Sequence, residues 1–593
     1  MPNIDRHTPL KRPAARLREG RYMHIRSLFR PLWGGAVVIA GVAAHSVPAT
    51  GASTLPQSAA SSVAAPRIEG RRLSEHIKIL ASDAFEGRAP GTAGEQKTIA
   101  YLSAQFNELG LQPAGDRGGW IQEVPLRRFE TPGNIEASFT LSGHVRPLKE
   151  LEDIVVNTHI PTSRVSVKAA PLVFIGFGVA AQERHWDDFK GFDLRGKIAV
   201  ALVNDPDFEM DQSDPLYGRF DGKTMTYYGR WTYKFEEAAR RGALGLLLVH
   251  ESLPAGYGWN TVKNSVSAAQ FDIMRKHPGT QRPLLEGWIQ RDIAVELFKA
   301  AGLDFATEKR RAQTEEFRPI LLHEATFSTD FVVSTTTIVS HNVIGKLTGT
   351  RYPKEAVLYG AHWDHLGIGT PDARGDRIYN GAVDNASGTA GVIELARLFA
   401  AEPRTQRSVY FIGFTAEEKG LLGSEYYATH PIVPLATTVA LLNLDVVNLK
   451  GPAKDISSDG DGGSNLDELL AAEVRKDGRR FSPDEHVEEG RFFRADHFSL
   501  AKAGVPAMTL AGGMDLVNGG VAAGRAWAQD YVQNRYHQPA DEWRPDWDMR
   551  GAEQDLTVYY ELGRDLADSR DWPQWNDRSQ FKAARDQTTA ERR

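Results

Sequence analysis

The sequence predicts an α/β protein in which helices flank a mixed β-sheet and a smaller α/β module is inserted. From about residue 342, short apolar runs alternate with segments of helical periodicity, which is typical of a largely parallel or mixed sheet with covering helices. Between about residues 151 and 303, shorter β-like runs form a separate block. The runs that we expect to form strands of the main sheet are 356–361, 409–414 and 439–444.

Length and composition indicate a globular protein of several domains. The chain has 593 residues, of which 41% are hydrophobic and 25% are charged, close to the average for soluble proteins. A formal charge of -6 argues against a nucleic-acid partner. The chain contains no cysteine, which excludes disulfides, thiolate nucleophiles and Cys-ligated zinc. Any bound metal must therefore be held by His, Asp and Glu.

The N-terminus predicts export. Basic residues precede an apolar stretch at 32–44, which is the order found in secretory signals. The stretch is shorter than the roughly 20 residues of a membrane-spanning helix, and small residues follow it. We predict a signal peptide at 1–52, starting at Met1 or Met23, and a linker at 53–66. The mature chain is then periplasmic or secreted without stable membrane insertion, and retention of the signal as an anchor is the alternative.

The main domain is predicted to consist of two parts, 67–150 and 306–570. Helical spacing at 73–80 recurs at 98–109, where Gly110 provides a stop signal, and a loop rich in Gly and Pro separates the two helices.

The predicted insert occupies 151–305. Its β-like runs lie at 171–176 and 196–203, and a helical segment at 234–241 leads into the apolar run 243–249. Residues 571–593 are predicted to form a polar C-terminal tail.

Polar side chains follow several apolar runs of the main domain. Functional side chains in open α/β sheets gather at the carboxyl ends of strands, and acids that converge there repel one another unless a cation lies between them. His and carboxylate ligands suit zinc. Two imidazoles and three carboxylates from this set would make five ligands, which are too many for one tetrahedral site but suit two ions that share a ligand. The set consists of His362, Asp364, Asp384, Glu417, Glu418, Asp445, His537 and Asp541.

Glu417 and Glu418 suit two different roles. Neighbouring residues on an extended strand end point in opposite directions, so one carboxylate can bind metal while the other acts as a base on water. Asp364 and Asp541 follow the two histidines closely and suit partners that orient the imidazoles. In isolation, His365 also fits the second position of an H-x-x-H zinc pair.

These stretches resemble the M28 family of co-catalytic zinc peptidases. The resemblance implies the zinc-peptidase fold, also described as phosphorylase/hydrolase-like, with two zinc ions per chain. It implies a metallo-aminopeptidase that acts on peptides with a free N-terminus. The matching stretches are 80–83, 86–92, 360–365, 381–388, 416–424, 443–445, 494–497, 503–506 and 536–537.

The resemblance also implies a role for each residue. Glu417 would be the general base, and Tyr536 and Arg494 match positions that polarise the scissile carbonyl or contact substrate. The bond between Asp384 and Asn385 would be a cis peptide. The metal ligands would be His362 and Asp445 for one zinc, Glu418 and His537 for the other, and Asp384 for both.

The insert at 151–305 resembles a protease-associated (PA) domain, whose role is either that of a substrate-selecting wall or that of a stabilising appendage. Three alternatives to an aminopeptidase remain open. One is a carboxypeptidase or dipeptidase with the same metals, another is a non-catalytic receptor-like relative, and the third is a single-zinc cyclase of N-terminal glutamine. The sequence indicates neither the oligomeric state nor the preferred N-terminal residue.

Overall fold

Two large β-sheets, of ten and eight strands, form the framework of the molecule. The computed structural model describes residues 66–267, 269–460 and 463–592. The predicted signal peptide at 1–52 and the predicted linker up to residue 65 lie outside the described residues. Within the described ranges, no helix combines the length and apolar character that crossing a membrane requires.

The strands are short at the sheet edges and long at the centre. In chain order they are β1 (Gln112–Pro113), β2 (Ile121–Glu130), β3 (Glu136–Leu141), β4 (His144–Leu148), β5 (Ile154–Asn157), β6 (Arg164–Phe174), β7 (Ala180–Ala181), β8 (Trp186–Asp187), β9 (Ile198–Leu202), β10 (Gly245–His250), β11 (Gln270–Ile273), β12 (Leu285–Gln290), β13 (Ile320–Val332), β14 (Ser334–Leu347), β15 (Tyr352–His362), β16 (Gly367–Ile368), β17 (Ile378–Tyr379), β18 (Arg407–Phe414), β19 (Thr438–Asn443), β20 (Asp455–Ser458), β21 (Arg480–Phe481) and β22 (Ala507–Gly512).

The α-helices of the described residues pack mainly against these sheets. In chain order they are α1 (Gly70–Leu80), α2 (Ala93–Glu108), α3 (Trp231–Arg240), α4 (Ser252–Ala255), α5 (Trp259–Ser267), α6 (Arg291–Ala300), α7 (Phe305–Ala312), α8 (Gly388–Ala401), α9 (Leu422–Thr429), α10 (Leu466–Lys476), α11 (His497–Lys502), α12 (Gly520–Asn534), α13 (Arg550–Asp568) and α14 (Lys582–Asp586).

The ten-stranded sheet is mixed, as the sequence predicts. Its order is β11-β2-β14-β18-β15-β19-β22-β20-β21, with β1 paired to β14. The central strands β18, β15, β19 and β22 run parallel, whereas β14 and β2 pair antiparallel beside them. The parallel block brings the carboxyl ends of its strands to one edge.

Both faces of this sheet are covered, because alternate side chains of a strand point to opposite faces. On β15, Val357 and Tyr359 face a core shared with α1, α8 and α13, whereas Leu358 faces a second core shared with α9 and α11. All three side chains are fully buried. Burial on both faces explains why the central strands appear in the sequence as continuous apolar runs.

The eight-stranded sheet contains the strands of the middle of the chain. Its order is β4-β3-β13-β6-β9-β10-β12-β5. The sheet takes strands from Glu136 to Val332, whereas the predicted insert runs from 151 to 305, and those domain boundaries stay a prediction.

The two sheets are joined by shared chain segments. Only Val333 separates β13 of the smaller sheet from β14 of the larger one. In addition, β11 follows β10 and precedes β12 along the chain, yet it pairs with β2 at the edge of the larger sheet.

The C-terminal segment packs against the main domain. Trp575 and Phe581 are buried, and the guanidinium of Arg585 donates to backbone carbonyls of Leu435 and Thr438. The segment 571–593, which is predicted to be a polar tail, therefore includes buried aromatic anchors in its described part.

Candidate metal centre

Three strands of the parallel block deliver side chains to one end of the sheet. β15 ends at His362, Asp445 follows β19 by two residues, and Glu417 and Glu418 follow β18. The register of the sheet places His362 beside Phe414, the last residue of β18. Parallel pairing therefore brings together residues that lie far apart in the sequence, as the sequence analysis expects.

Asp384 reaches the same place by a different route. The sequence suggests that it follows a strand, but the strand there is the two-residue β17, and Asp384 lies in a helical turn that leads into α8. Gly381 precedes this turn with a left-handed backbone, φ 56°, which glycine adopts without the steric cost of a side chain. The bond between Asp384 and Asn385 is cis.

Glu417 and Glu418 also differ from expectation in their local structure. They lie in a 3-10 turn and not on an extended strand end. Ala416 before them adopts a left-handed backbone, φ 53°, which ends the strand and starts the turn. The two carboxylates still diverge, because Glu417 faces His362 and Glu418 faces His537.

Asp384 links two groups of side chains. Its Oδ1 lies 3.3 Å from His362 Nε2, and its Oδ2 lies 3.2 Å from His537 Nε2. His362 Nε2 is also 3.2 Å from Asp445 Oδ1, and His537 Nε2 is 3.2 Å from Glu418 Oε2. The five predicted metal ligands therefore form one continuous cluster.

The cluster attracts positive charge. Burial disfavours the charged form of His362, but Glu417, Asp384 and Asp445 outweigh burial and hold its pKa well above the usual value. For His537, burial likewise opposes the charge, and Glu418 and Asp384 raise the pKa to about 10. Protons on the imidazoles or divalent cations can supply the positive charge that these carboxylates require.

The donor atoms fit a metal. Two groups of three side chains place their ligand atoms within 4.8 Å of one another. Both ring nitrogens of His365 and Oε1 of Glu418 are buried without a hydrogen-bond partner among the described residues, although His365 Nδ1 lies 2.6 Å from that oxygen. Buried polar atoms that lack partners are what metal ligands offer. The groups are His362 with Glu417 and Asp445, and His365 with Asp384 and Glu418.

His365 is therefore a ligand candidate to which the resemblance assigns no role. It is fully buried, and its ring lies 5.7 Å from that of His537 between centroids. In the sequence, only the H-x-x-H spacing from His362 to His365 indicates that His365 could bind metal.

Asp364 lies beside the His362 imidazole as predicted, with its Oδ1 3.8 Å from the ring Nδ1, whereas the carboxylate of Asp541 contacts backbone and not the ring of His537. Asp364 Oδ1 accepts a hydrogen bond from the backbone N–H of Glu417, and the Nδ1 of His362 faces the Asp364 backbone carbonyl. The carboxylate of Asp541 accepts the backbone N–H groups of Val383 and Asp384. Both acids therefore fix the turns that carry the ligands, and Asp364 also stands beside the ring of His362.

Several residues at the site have unfavourable backbone conformations. Ala416, Val446 and His537 all have positive φ, between 53° and 67°. Such conformations cost roughly 1–2 kcal/mol for residues other than glycine and concentrate at functional sites. Each of these residues is itself a candidate ligand or stands directly beside Glu417 or Asp445.

Tyr536 and Arg494 lie in different surroundings. The ring of Tyr536 stacks on His537, with centroids 3.9 Å apart, and is 44% exposed. Arg494 lies against Tyr257 of the middle segment, with its guanidinium 5.9 Å from the ring centroid. The described contacts place Tyr536 at the metal cluster and Arg494 at its border with the smaller sheet.

Arg88 supports the turn that carries Asp384. Its side chain is 1% exposed and donates hydrogen bonds to the carbonyls of Leu80, Trp363, Asn380 and Gly381. The resemblance covers Arg88 without giving it a role. A charged residue inside a loop rich in Gly and Pro is the only sequence signal for it.

Replacing Arg88 by Met is expected to lower the free energy of unfolding by about 3 kcal/mol, because buried carbonyls lose their donors. Urea unfolding of the purified protein measures the loss. Arg71→Met is the matched control, since Arg71 is exposed and pairs only with exposed Glu75, and its effect should stay within about 0.5 kcal/mol. Equal losses in the two variants would contradict the supporting role of Arg88.

Comparison with known families agrees with this geometry. Residues 342–560 match the profile of peptidase family M28. The chain carries a peptidase family M28 domain. This M28 domain runs from β14 to α13 and contains every candidate ligand of the cluster.

Curated relatives are similar to parts of the chain. A probable zinc metalloprotease of Pyrenophora tritici-repentis (strain Pt-1C-BFP) is 36% identical over 129 residues, 22% of this chain and 28% of the relative. Aminopeptidase YwaD of Bacillus subtilis (strain 168) is 25% identical over 354 residues, 59% of this chain and 55% of the relative. The chain therefore spans from about a quarter to just over half of the length of these relatives.

Similarity to a solved structure extends over a larger span of the chain. The aminopeptidase from Aneurinibacillus sp. strain AM-1 is 20% identical with a TM-score of 0.46. That alignment covers 84% of this chain and 94% of the other.

Proposed function

We propose that the chain is an exported metallo-aminopeptidase that holds two zinc ions. The observation that carries this proposal is the position of Asp384, whose two oxygens face His362 and His537. A carboxylate shared between two ligand groups is typical of two-metal hydrolytic sites. The names of the relatives, a zinc metalloprotease and an aminopeptidase, support the same class.

Five side chains would hold the ions, with His365 as a further candidate. When bound, zinc supplies Lewis acidity, which lowers the pKa of water and polarises a carbonyl. The absence of sulfur ligands is compatible with zinc, because imidazole and carboxylate also bind it. The proposed ligands are His362 and Asp445 for one ion, Glu418 and His537 for the other, and Asp384 for both.

Glu417 is proposed as the general base. Its Oε2 lies 3.9 Å from His362 Nε2, and its side chain is largely buried. It would accept a proton from the water whose oxygen attacks the scissile carbonyl carbon, and would return this proton to the nitrogen as the C–N bond breaks. Tyr536 would donate a hydrogen bond to the carbonyl oxygen as negative charge develops there.

The charge of the cluster favours a substrate with a free amino group. Asp384, Glu417, Glu418 and Asp445 together match the charge of two divalent ions. A neutral sum offers no excess of positive charge to a substrate carboxylate, so an ammonium group is the more compatible end of a peptide. We therefore propose that residues are removed from the N-terminus, and that a carboxypeptidase or dipeptidase with the same ligands is the alternative.

A peptide with a free N-terminus should be hydrolysed at least about 100-fold faster than the same peptide acetylated there, because acetylation removes the ammonium group. Mass spectrometry over time shows which end loses residues. A peptide amidated at its C-terminus is the control, and it should still lose N-terminal residues. Rapid removal of C-terminal residues from the acetylated peptide would favour the carboxypeptidase instead.

Export is proposed from the basic and apolar pattern of residues 1–52. Expression of the full chain in a bacterium should yield a mature protein that begins near Ser53. N-terminal sequencing of the exported fraction measures this. A mature protein that still contains residues 32–44 would indicate an anchor.

A further inference from the structure

Arg230 is an unusual buried arginine. Six arginines are buried among the described residues, and five of them donate to carboxylates or backbone carbonyls. Arg230 is 8% exposed, its Nε has no hydrogen-bond partner, and its guanidinium forms no ion pair within the described parts of the chain. Burying a charge without an ion pair costs free energy. Such a group is therefore a candidate binding site for an anionic ligand.

A second arginine lies close to it. Arg494 has Nε and Nη2 buried without partners among the described residues. Its Nη2 approaches the middle segment so closely that a Cβ on Gly256 would lie 3.3 Å away. Burial and then the charge of Arg494 lower the pKa of Arg230 to about 10, which leaves the Arg230 guanidinium positive at neutral pH. Tyr257 lies beside both arginines.

The backbone holds Arg230 firmly in this position. Asp205 accepts hydrogen bonds from the backbone N–H and the hydroxyl of Thr226, both at 2.7 Å. Gly229 fits closely above the same carboxylate, and its carbonyl accepts the N–H of Asn204. α3 begins directly after Arg230. The arginine is therefore preorganised and would lose little conformational freedom on binding.

Arg494 stands near the acids around the metal cluster. It lies two residues before the fully buried Asp496, which is one of the acids that, after burial, raise the pKa of Glu417. The buried carboxyl of Asp459 lies within the electrostatic influence of both Asp445 and Arg494. Arg494 thus lies near acids that surround the cluster, and the middle segment places the positive charge of Arg230 close to Arg494.

We propose that Arg230 and Arg494 bind a carboxylate of the peptide substrate. The inference rests on the proposed aminopeptidase function. The amino end of the substrate would lie at the acidic cluster, and a carboxylate farther along the peptide would pair with the two guanidinium groups. That carboxylate is either the C-terminus of a short peptide or an acidic side chain.

Two matched substrate pairs distinguish these sources. One pair is a dipeptide and its C-terminal amide, and the other is a dipeptide amide with Glu or Gln in the second position. Each begins with the residue that the enzyme removes fastest, and kcat/KM is measured from its release. The wild-type protein should prefer the carboxylate-bearing member of at least one pair. Arg230→Met should reduce that preference about 10- to 100-fold, as expected for one lost charge-assisted hydrogen bond.

Arg184→Met is the matched control. Arg184 is as buried as Arg230 but pairs with Asp221 at 2.9 Å. Its replacement should lower the midpoint of thermal unfolding and leave the substrate preference unchanged. Arg230→Met should not lower the midpoint, because it removes an unpaired charge, and Arg230→Lys should restore part of the preference.

The results separate failure of this inference from failure of the proposed function. If the wild-type protein releases no N-terminal residue from any of the four peptides, the proposed function is wrong. If it hydrolyses them without preferring a carboxylate, or if Arg230→Met keeps the preference, the carboxylate site is wrong and the peptidase stands. A loss of stability in Arg230→Met equal to that of Arg184→Met would also contradict the site.

Discussion

Replacing Glu417 by Gln is expected to slow turnover by about 100- to 10,000-fold while the zinc content stays unchanged. Glutamine keeps the size of the side chain but does not accept the proton of the attacking water. The buried Glu417 carboxylate faces His362 and stands beside Glu418, whose carboxylate faces His537. Steady-state kinetics and metal analysis on the same preparation measure both quantities.

Glu418→Gln is the matched comparison, because it alters the neighbouring carboxylate in the same way. This variant should lose zinc as well as activity, since Glu418 is a proposed ligand. The comparison is informative because Glu417 could itself bind metal. Its ligand atom lies within 4.8 Å of those of His362 and Asp445. Loss of zinc in Glu417→Gln would reassign Glu417 as a ligand, and full activity would remove it from the mechanism.

Removal of metal should abolish peptide hydrolysis and destabilise the protein. Asp384, Glu418 and Asp445 converge at one end of the sheet, and their mutual repulsion is relieved when cations bind. Ligand binding to the native state stabilises it by about 4 kcal/mol when the free ligand exceeds its Kd 1,000-fold. The purified protein should contain two zinc ions per chain, and a chelator should lower its thermal unfolding midpoint.

The number of ions is tested by titrating zinc back into the chelated protein. Activity should return only as the second equivalent binds. Asp384→Asn should weaken the binding of both ions, because Asp384 faces both histidines. Asp445→Asn should weaken mainly the binding of the ion held with His362. Full activity with a single tightly bound ion would contradict the two-metal proposal.

The sequence predicted those parts of the site that depend on strands. The central strands are buried on both faces, so their apolar runs are continuous, and the polar residues that follow them mark the edge of the sheet. The turns are harder to predict from the sequence. At Gly381 and Ala416 a left-handed backbone changes the direction of the chain, and no pattern of apolar residues indicates this change. Asp384 and Glu417 both lie close to His362, as the sequence analysis expects, but they stand in turns and not at strand ends.

Contacts between distant segments were beyond the sequence. Arg88 donates hydrogen bonds to the backbone carbonyls of residues almost 300 positions away. Every residue has such a carbonyl, so the residue type does not show which one accepts the bond. Arg230 likewise comes within the electrostatic influence of Arg494, 264 positions later in the chain, only in the folded protein. The basic residues that the sequence places near the M28 motifs are Arg494, Lys419 and Arg525, whereas the structure adds Arg230 from the middle segment.

The course of β11 limits how the molecule can move. β11 leaves the middle segment, pairs with β2 through residues Gln270–Ile273, and returns to that segment at β12. Arg275 then clamps Glu425 of α9 with two hydrogen bonds of 2.7 and 2.8 Å. A hinged swing of the middle segment away from the catalytic sheet would have to peel this strand from its edge and break the clamp. Any change in access to the metal cluster would therefore have to come from side chains and loops and not from a swing of the whole segment.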